Sequence, residues 1–346
     1  MDWYLQILIV ILVLMAINYI SLLNERTLQS ITTDVEGFES STASTASTAS
    51  TASTASTAST ASTESKVPGT TDEKNVKWLT NKDLYDTFYA SVYDQLVKPY
   101  VRNQSEAALI LHEWTKHDED KGTFTILDIG CGTGITACSF AKMGVKKVVG
   151  LDSSQAMINW AKNKNMKATT LTDVQQQQID WRLGDAMDAS ICSGGEFNHI
   201  CMLYFTIYYL KNKEAVFRNA YLWTKPGGKF VIQVVNKHKF DPMLESASPW
   251  IYFSLQKYAD SRITRSEVDF DKFKYTGDFV LEDPGADFRE TFRFKDSVRH
   301  QKHELLMEDM SAIVGMAKLA GWEYIGNVDL TPIAFQYSYH LHFKKA

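Results

Sequence analysis

Residues 124–134 read Phe124-Thr125-Ile126-Leu127-Asp128-Ile129-Gly130-Cys131-Gly132-Thr133-Gly134, and this stretch decides the fold. A short β-rich run ends in spaced glycines, and ITACSFAKMG (135–144) follows with helical spacing. Glycines let the backbone turn tightly and approach a ligand with no Cβ in the way. A loop of this kind, between a strand and a helix, lies where doubly wound sheets bind ligands, outside the C-terminal ends of their strands. The dinucleotide fingerprint G-x-G-x-x-G puts its third glycine three places after the second. Here Gly134 follows Gly132 by two places and Ile135 holds the dinucleotide position. No Gly-Lys-Ser/Thr follows, which excludes a P-loop. Asp128, two residues ahead of Gly130, would repel a pyrophosphate and attract an ammonium.

Outward from the loop, apolar strands alternate with helical patterns. KKVVGLD (146–152), IDWRLGD (179–185), FNHICMLY (197–204) and KFVIQVVN (229–236) read as strands. Residues 153–165, which open with serine, and 213–223, closed by Lys225-Pro226-Gly227-Gly228, read as helices. Upstream, Tyr85, Phe88, Tyr89, Val92, Tyr93 and Leu96 fall at helical spacing until Pro99 stops the run. A second helix is predicted over 106–117, with Asn103 and Glu106 as a capping box. Near-continuous apolar strands between helices indicate a parallel sheet covered on both faces. From about residue 262 to 299, aromatic and charged residues alternate loosely, as in VDFDKFKY and ETFRFKD, which predicts inserted antiparallel strands. The α/β pattern resumes with a helix over 307–320. It closes with EYIGNVDL and FQYSYHLHFKK, an antiparallel edge pair with no room for a helix between them. Asp152 ends the second strand, placed to accept both ribose hydroxyls of a nucleoside. Asp185 ends the third, placed for the exocyclic amine of an adenine.

ILDIGCGTG, the acid in VVGLDSS, the RLGDA segment and KPGGKFVI together resemble the successive motifs of the class I S-adenosylmethionine-dependent methyltransferases. The similarity spans roughly residues 85–236 plus the C-terminal strands. It implies an α/β, Rossmann-like, doubly wound sheet of seven strands. That sheet is mostly parallel with an antiparallel last strand, and an antiparallel β segment is inserted after its fifth strand. It also implies S-adenosyl-L-methionine as cofactor. Gly130, Gly132 and Gly134 would then hug the methionine portion, and Asp128 would orient its ammonium. Asp152 would hold the ribose, Ser153 and Met157 would lie near the sugar and adenine, and Asp185 and Ala186 would address the adenine edge. CMLYFTIYYL (201–210) corresponds to the stretch lining the sulfonium and the acceptor. Asn198 stands where an Asp is usual, and Tyr208-Tyr209 stand where a His pair is frequent, so a histidine acting there as acid or base is not implied. Tyr85, Tyr89 and Tyr93 resemble an N-terminal helix closing over the cofactor. The insert, about 240–305, is expected to cover the acceptor pocket, with Trp250, Tyr252, Phe253 and Tyr258 as candidate lining or core residues.

The N-terminal part reads differently. Residues 3–23, WYLQILIVILVLMAINYISLL, carry no charge and are long enough to cross a hydrocarbon core of about 30 Å, with Trp3, Tyr4 and Tyr19 toward the ends. A cleaved signal peptide would need a basic start and a small-x-small site, and neither is present. Arg26 gives a slight lean toward a cytosolic C-terminal side, and a cytosolic cofactor strengthens it. Residues 41–63 repeat Ser-Thr-Ala without a large apolar side chain and predict a disordered tether. Random-coil statistics for roughly 50 residues place the next domain about 35–40 Å from the membrane. The expected organisation is an anchor over 1–24, a linker over 25–77 and a methyltransferase domain over 78–346.

Across 346 residues the chain is 45% hydrophobic and 22% charged with net charge −5, so no bulk positive field favours nucleic acid. Four cysteines are too few for a disulfide framework, and no CxxC pair points to a metal. Arg289, Arg293, Lys295, Arg299, Lys302 and His303 form a basic run. Their alternation with phenylalanines and nearby acids fits the solvent face of a half-buried strand better than an anion site. Cys131, Cys138 and Cys201 read as packing residues. Methyl transfer from a sulfonium is an in-line displacement that needs alignment above all, so no catalytic residue is assigned. The expected function is methyl transfer to a small-molecule or lipid-like acceptor by a single-pass membrane protein whose catalytic domain faces the cytosol. The alternatives are a protein or RNA methyltransferase recruited to a membrane, or a non-catalytic cofactor-binding scaffold.

Overall fold

The computed structural model describes residues 78–116, 119–247, 259, 261–282 and 284–346. The expected membrane span and repeat tether lie outside the described residues, as do Trp250, Tyr252, Phe253 and Tyr258. Among the described residues no helix is long and apolar enough to cross a membrane.

In chain order the domain opens with β1 (Trp78–Thr80), α1 (Thr87–Val97) and α2 (Pro99–Trp114). β2 (Thr125–Ile129), α3 (Ile135–Lys142), β3 (Lys147–Asp152), α4 (Gln155–Trp160) and β4 (Ile179–Leu183) follow. Next come β5 (Phe197–Met202), the short α5 (Thr206–Tyr209), α6 (Lys213–Trp223) and β6 (Thr224–Val235). Four strands then run in succession: β7 (Arg265–Asp269), β8 (Lys274–Glu282), β9 (Gly285–Arg293) and β10 (Val298–Leu306). The chain closes with α7 (Met310–Leu319), β11 (Glu323–Asp329) and β12 (Ser338–Lys344).

The main sheet has seven strands in the order β11-β12-β6-β5-β2-β3-β4, with β12 antiparallel to both neighbours and the others parallel across their shared edges. Its two faces are covered because β2 and β3 alternate core residues between them. Leu127, Ile129, Val149 and Leu151 pack with Phe217 and Trp223 of α6 and Ile313 of α7. Ile126 and Val148 pack with Ile110 and Trp114 of α2 and Phe140 of α3. The inserted sheet has five strands, β1-β10-β9-β8-β7, antiparallel except that β1 runs parallel to β10. Phe279, Ala286 and Leu305 join it to the main core. Phe273, Tyr275 and Phe292 pack against Tyr89, Val92 and Leu96 of α1.

One expected boundary is corrected. The second helix begins at Pro99, seven residues before Glu106, because Lys98 takes the left-handed conformation (φ 39°) and Pro99 starts a new helix at its first position. Asn103 is therefore inside α2 rather than capping it, and its Nδ2 donates to Thr136 Oγ1 at 2.9 Å. Glu106 is buried and meets His340 Nε2 of β12 at 2.8 Å. A second boundary moves as well: β6 begins at Thr224, so Lys225-Pro226-Gly227-Gly228, expected to close the preceding helix, lie inside the strand, where Gly227 N donates to Lys345 O and Gly228 O accepts from Lys345 N. The remaining strands and helices of the α/β pattern fall close to where periodicity places them.

Candidate active site

The glycine loop leaves β2 at the C-terminal edge of the main sheet. Gly130 and Cys131 both donate their backbone N–H groups to Leu151 O of β3, at 2.8 and 3.1 Å. Gly132 is the open point of the loop. Its φ is 53°, and a Cβ built there would meet nothing within 4 Å, so the bare backbone borders free space. Gly134, at φ 79°, has a different role: a Cβ there would come within 2.3 Å of the Trp181 ring, which packs behind the loop. Gly130 likewise makes room for Thr206, the first residue of α5.

Asp128 stands at the root of this loop, 2% exposed. Cys201 Sγ donates to its Oδ1 at 3.4 Å, while its Oδ2 has no hydrogen-bond partner among the described residues. Burial lifts the Asp128 carboxyl from 3.8 to about 7. The Cys201 hydrogen bond opposes the lift, and the Glu106 and Asp152 charges add to it. An orphaned, nearly dry carboxylate oxygen is costly unless a donor fills it, and an ammonium is the donor that suits its charge.

Asp152 closes β3 facing the same loop. Its Oδ2 accepts from Gly132 N at 2.9 Å and its Oδ1 from Ser154 N at 2.8 Å, so its two oxygens are aimed while keeping lone pairs for further donors. Burial raises the carboxyl, and the Ser154, Gly132 and Ser153 backbone hydrogen bonds oppose the rise. Ser154 caps α4 by accepting from Met157 N. Ser153 is exposed, whereas Met157 is buried beneath α1. Asp185 lies exposed after β4 and accepts from Met187 N at 2.9 Å. Ala186 is buried, and its carbonyl accepts from Asn219 Nδ2 at 2.9 Å. The predicted residues thus fall at three successive strand ends, and the acids and the open glycine turn suit the amino acid and nucleoside ends of the implied cofactor.

Helix α1 covers the loop. Asp94 accepts from Thr133 Oγ1 and Asn165 Nδ2, both at 2.7 Å, and Ser154 Oγ donates to Tyr85 O at 2.6 Å. Thr133 and Asn165 lie 39 and 71 positions from Asp94, and no local pattern ties the three together. Tyr204, at the exit of β5, holds φ 52°, a strained conformation for a non-glycine residue beside a candidate site.

Three members of the basic run are paired with acids. Arg289 meets Asp287 at 3.0 Å, Arg299 meets Asp86 at 2.6 Å and Lys302 meets Glu304 at 2.8 Å. His303 departs from that pattern: it is 2% exposed and faces Tyr209 and Glu290. Its one sequence signal is the inward alternation of Gln301, His303 and Leu305 along β10. A separate cavity of about 450 Å³ lies at the edge of the inserted sheet, bordered by Tyr209, Asn81, Asp287 and Glu304.

A family described as "Methyltransferase domain" matches residues 126–228, from the strand before the glycine loop to the start of β6. Among curated proteins, "Protein arginine N-methyltransferase 1" of Schizosaccharomyces pombe is 34% identical over 91 residues, 26% of this chain and 26% of that protein. "Ubiquinone biosynthesis O-methyltransferase" of Coxiella burnetii is 28% identical over 113 residues, 33% of this chain and 44% of that protein. The chain therefore spans less than half the length of either relative. Among solved structures, an S-adenosylmethionine-dependent methyltransferase from Clostridium acetobutylicum shares the fold at TM-score 0.55 and 18% identity, covering 75% of this chain and 98% of that one. S-adenosylmethionine-bound CalS10, an amino pentose methyltransferase from Micromonospora echinaspora, shares it at TM-score 0.51 and 16% identity, covering 80% and 100%.

Proposed function

We propose that this chain is an S-adenosyl-L-methionine-dependent methyltransferase for a small-molecule or lipid-like acceptor. Residues 3–23 hold it at a membrane with the catalytic domain on the cytosolic side. One observation carries the assignment: the buried, unpartnered Oδ2 of Asp128 at the root of an open glycine turn, with Asp152 fixed at the next strand end. The methyl donor is S-adenosyl-L-methionine, which supplies an electrophilic methyl group on a sulfonium. Asp128 takes its ammonium and Gly132 its methionine backbone. Asp152 takes the ribose hydroxyls, with Ser153 and Met157 beside the sugar and adenine. Asp185 and Ala186 meet the adenine edge. Gly130 and Gly134 keep the loop packed against Thr206 and Trp181 so that Gly132 stays open. The aromatic residues of α1 and the inserted sheet exclude water from the acceptor side.

A small acceptor is supported by the kind of relative matched, which includes an O-methyltransferase of ubiquinone biosynthesis. Membrane attachment is supported by the charge-free run at 3–23, and the cytosolic side by the cytosolic origin of the donor. The test combines calorimetry of S-adenosylmethionine on the purified full chain with a screen of metabolite and lipid extracts using a donor labelled in its methyl group. Binding followed by label in a small organic product is the expected result. Binding without consumption would make the chain a scaffold, and label in protein or RNA would move the acceptor class.

A further inference from the structure

The methyl transfer proposed above leaves one buried constellation unused. Glu290 of β9 is fully buried, yet its carboxylate accepts three hydrogen bonds: from Tyr275 Oη at 2.8 Å, Gln301 Nε2 at 2.5 Å and His303 Nε2 at 2.5 Å. Burial alone would push the Glu290 carboxyl up, but the charge and hydrogen bond of His303, with Gln301 and Tyr275, bring it below its ordinary value. An ionised carboxylate only accepts, so His303 Nε2 donates to it, and in the neutral imidazole Nδ1 is then the acceptor. Tyr209 Oη lies 2.6 Å from Nδ1 and donates to it. Tyr209 ends α5, whose first residue Thr206 packs against Gly130 of the cofactor loop. Tyr209 also packs edge-on against the Tyr85 ring at 5.9 Å, and the Tyr85 carbonyl accepts from Ser154 Oγ beside Asp152. The chain of contacts thus runs from a buried acid in the inserted sheet to a half-buried phenol on the short helix whose first residue packs against the cofactor loop.

The geometry points to a proton relay, Tyr209–His303–Glu290, that receives the proton an N–H or O–H acceptor must lose during methylation. The inference rests on the methyltransferase assignment above. As the acceptor's lone pair forms its bond to the methyl carbon, the carbon–sulfur pair stays with sulfur. The acceptor's proton passes to Tyr209 Oη while the phenol proton passes to His303 Nδ1. The imidazolium so formed is held against Glu290, and the relay resets by losing one proton to solvent. Tyr209 is the catalytic residue, and His303 and Glu290 are positioning residues that act through it. A phenol alone is a poor base near neutral pH, and passing its own proton to the imidazole lets it accept one in the same step.

The test needs no acceptor. Sinefungin carries an amine where the donor carries its methyl group, whereas S-adenosylhomocysteine carries nothing there. An ammonium donating to Tyr209 Oη obliges Tyr209 to donate to His303, so Nδ1 must be bare. The groups facing His303 are Glu290 from β9, Tyr209 from α5, Tyr89 from α1 and Tyr85 from the turn before α1. Calorimetry of the full chain compares the affinities of the two ligands. Sinefungin should bind roughly tenfold more tightly than S-adenosylhomocysteine, because its ammonium gains Tyr209 Oη as an acceptor. Tyr209→Phe and His303→Gln should each abolish that difference while S-adenosylhomocysteine still binds. Equal affinities for the two ligands in the parent protein would overturn the relay, as would a difference that survives in Tyr209→Phe. If neither ligand binds the parent protein, the methyltransferase assignment itself fails.

Discussion

Replacing Asp128 by Asn should stabilise the free protein at alkaline pH and cripple its cofactor site. The carboxyl moves from 3.8 to about 7 on burial, which corresponds to about 4 kcal/mol of native-state destabilisation once the group is forced to ionise. The folded state keeps a proton that the unfolded chain has already released, so this penalty grows as pH rises from about 4 to about 7 and is level above that. Between pH 5 and pH 8 it deepens by roughly 2–3 kcal/mol. Asparagine removes the charge but leaves an amide imperfectly paired beside Cys201, at a cost of about 1–3 kcal/mol at every pH. Urea unfolding of the cofactor-free full chain should therefore show Asp128→Asn gaining roughly 2–3 kcal/mol on the parent between pH 5 and pH 8. Cofactor affinity moves the other way. Losing a charge-assisted bond to the ammonium costs about 1.5–3 kcal/mol, or roughly 10–150-fold in the Kd measured calorimetrically at pH 8. A stability gap that stays constant across this pH range would refute the buried-ionisation argument. Unchanged affinity would refute the ammonium assignment.

Asp152→Ala should weaken S-adenosylmethionine binding by roughly 10–100-fold through loss of the ribose acceptors, read by calorimetry; intact affinity would remove Asp152 from the site. Gly134→Ala adds a Cβ within 2.3 Å of the Trp181 ring at a positive φ and should cost about 2–4 kcal/mol in urea unfolding. Gly132→Ala meets no atom within 4 Å, so it should cost only about 1–2 kcal/mol of stability while losing at least about tenfold in cofactor affinity. The reverse ordering of these two glycines in either assay would contradict the loop geometry. Deleting residues 1–23 should release a protein that fractionates with the soluble phase and still binds cofactor. Continued pelleting with membranes would place the attachment elsewhere.

The parallel core was legible because β2, β3 and β5 are buried on both faces, which forces near-continuous apolar runs between glycine and acid punctuation. Asp128, Gly132 and Asp152 were legible for the same reason: strand ends in this architecture converge, so residues 20 positions apart meet, as Gly132 and Asp152 do. Pro99 was not, since a proline ends one helix and begins another with the same local signature, and only the left-handed Lys98 decides between them. His303 was hidden inside a run that reads as basic surface. Its partner Glu290 lies 13 positions away, and their meeting depends on the β9–β10 register, which a one-residue slip would invert. Trp181 gives no sign in the sequence that it fills the space under Gly134 and Gly150.

The first three described residues add a mechanical consequence. Trp78, Leu79 and Thr80 run alongside His300, Gln301 and Lys302 as the outermost strand of the inserted sheet. Traction arriving from the preceding chain is therefore borne in shear by a short parallel zipper rather than by a loose hinge. That zipper grips Gln301 and stops one residue short of His303, so a force on Trp78 is felt where Glu290 is held.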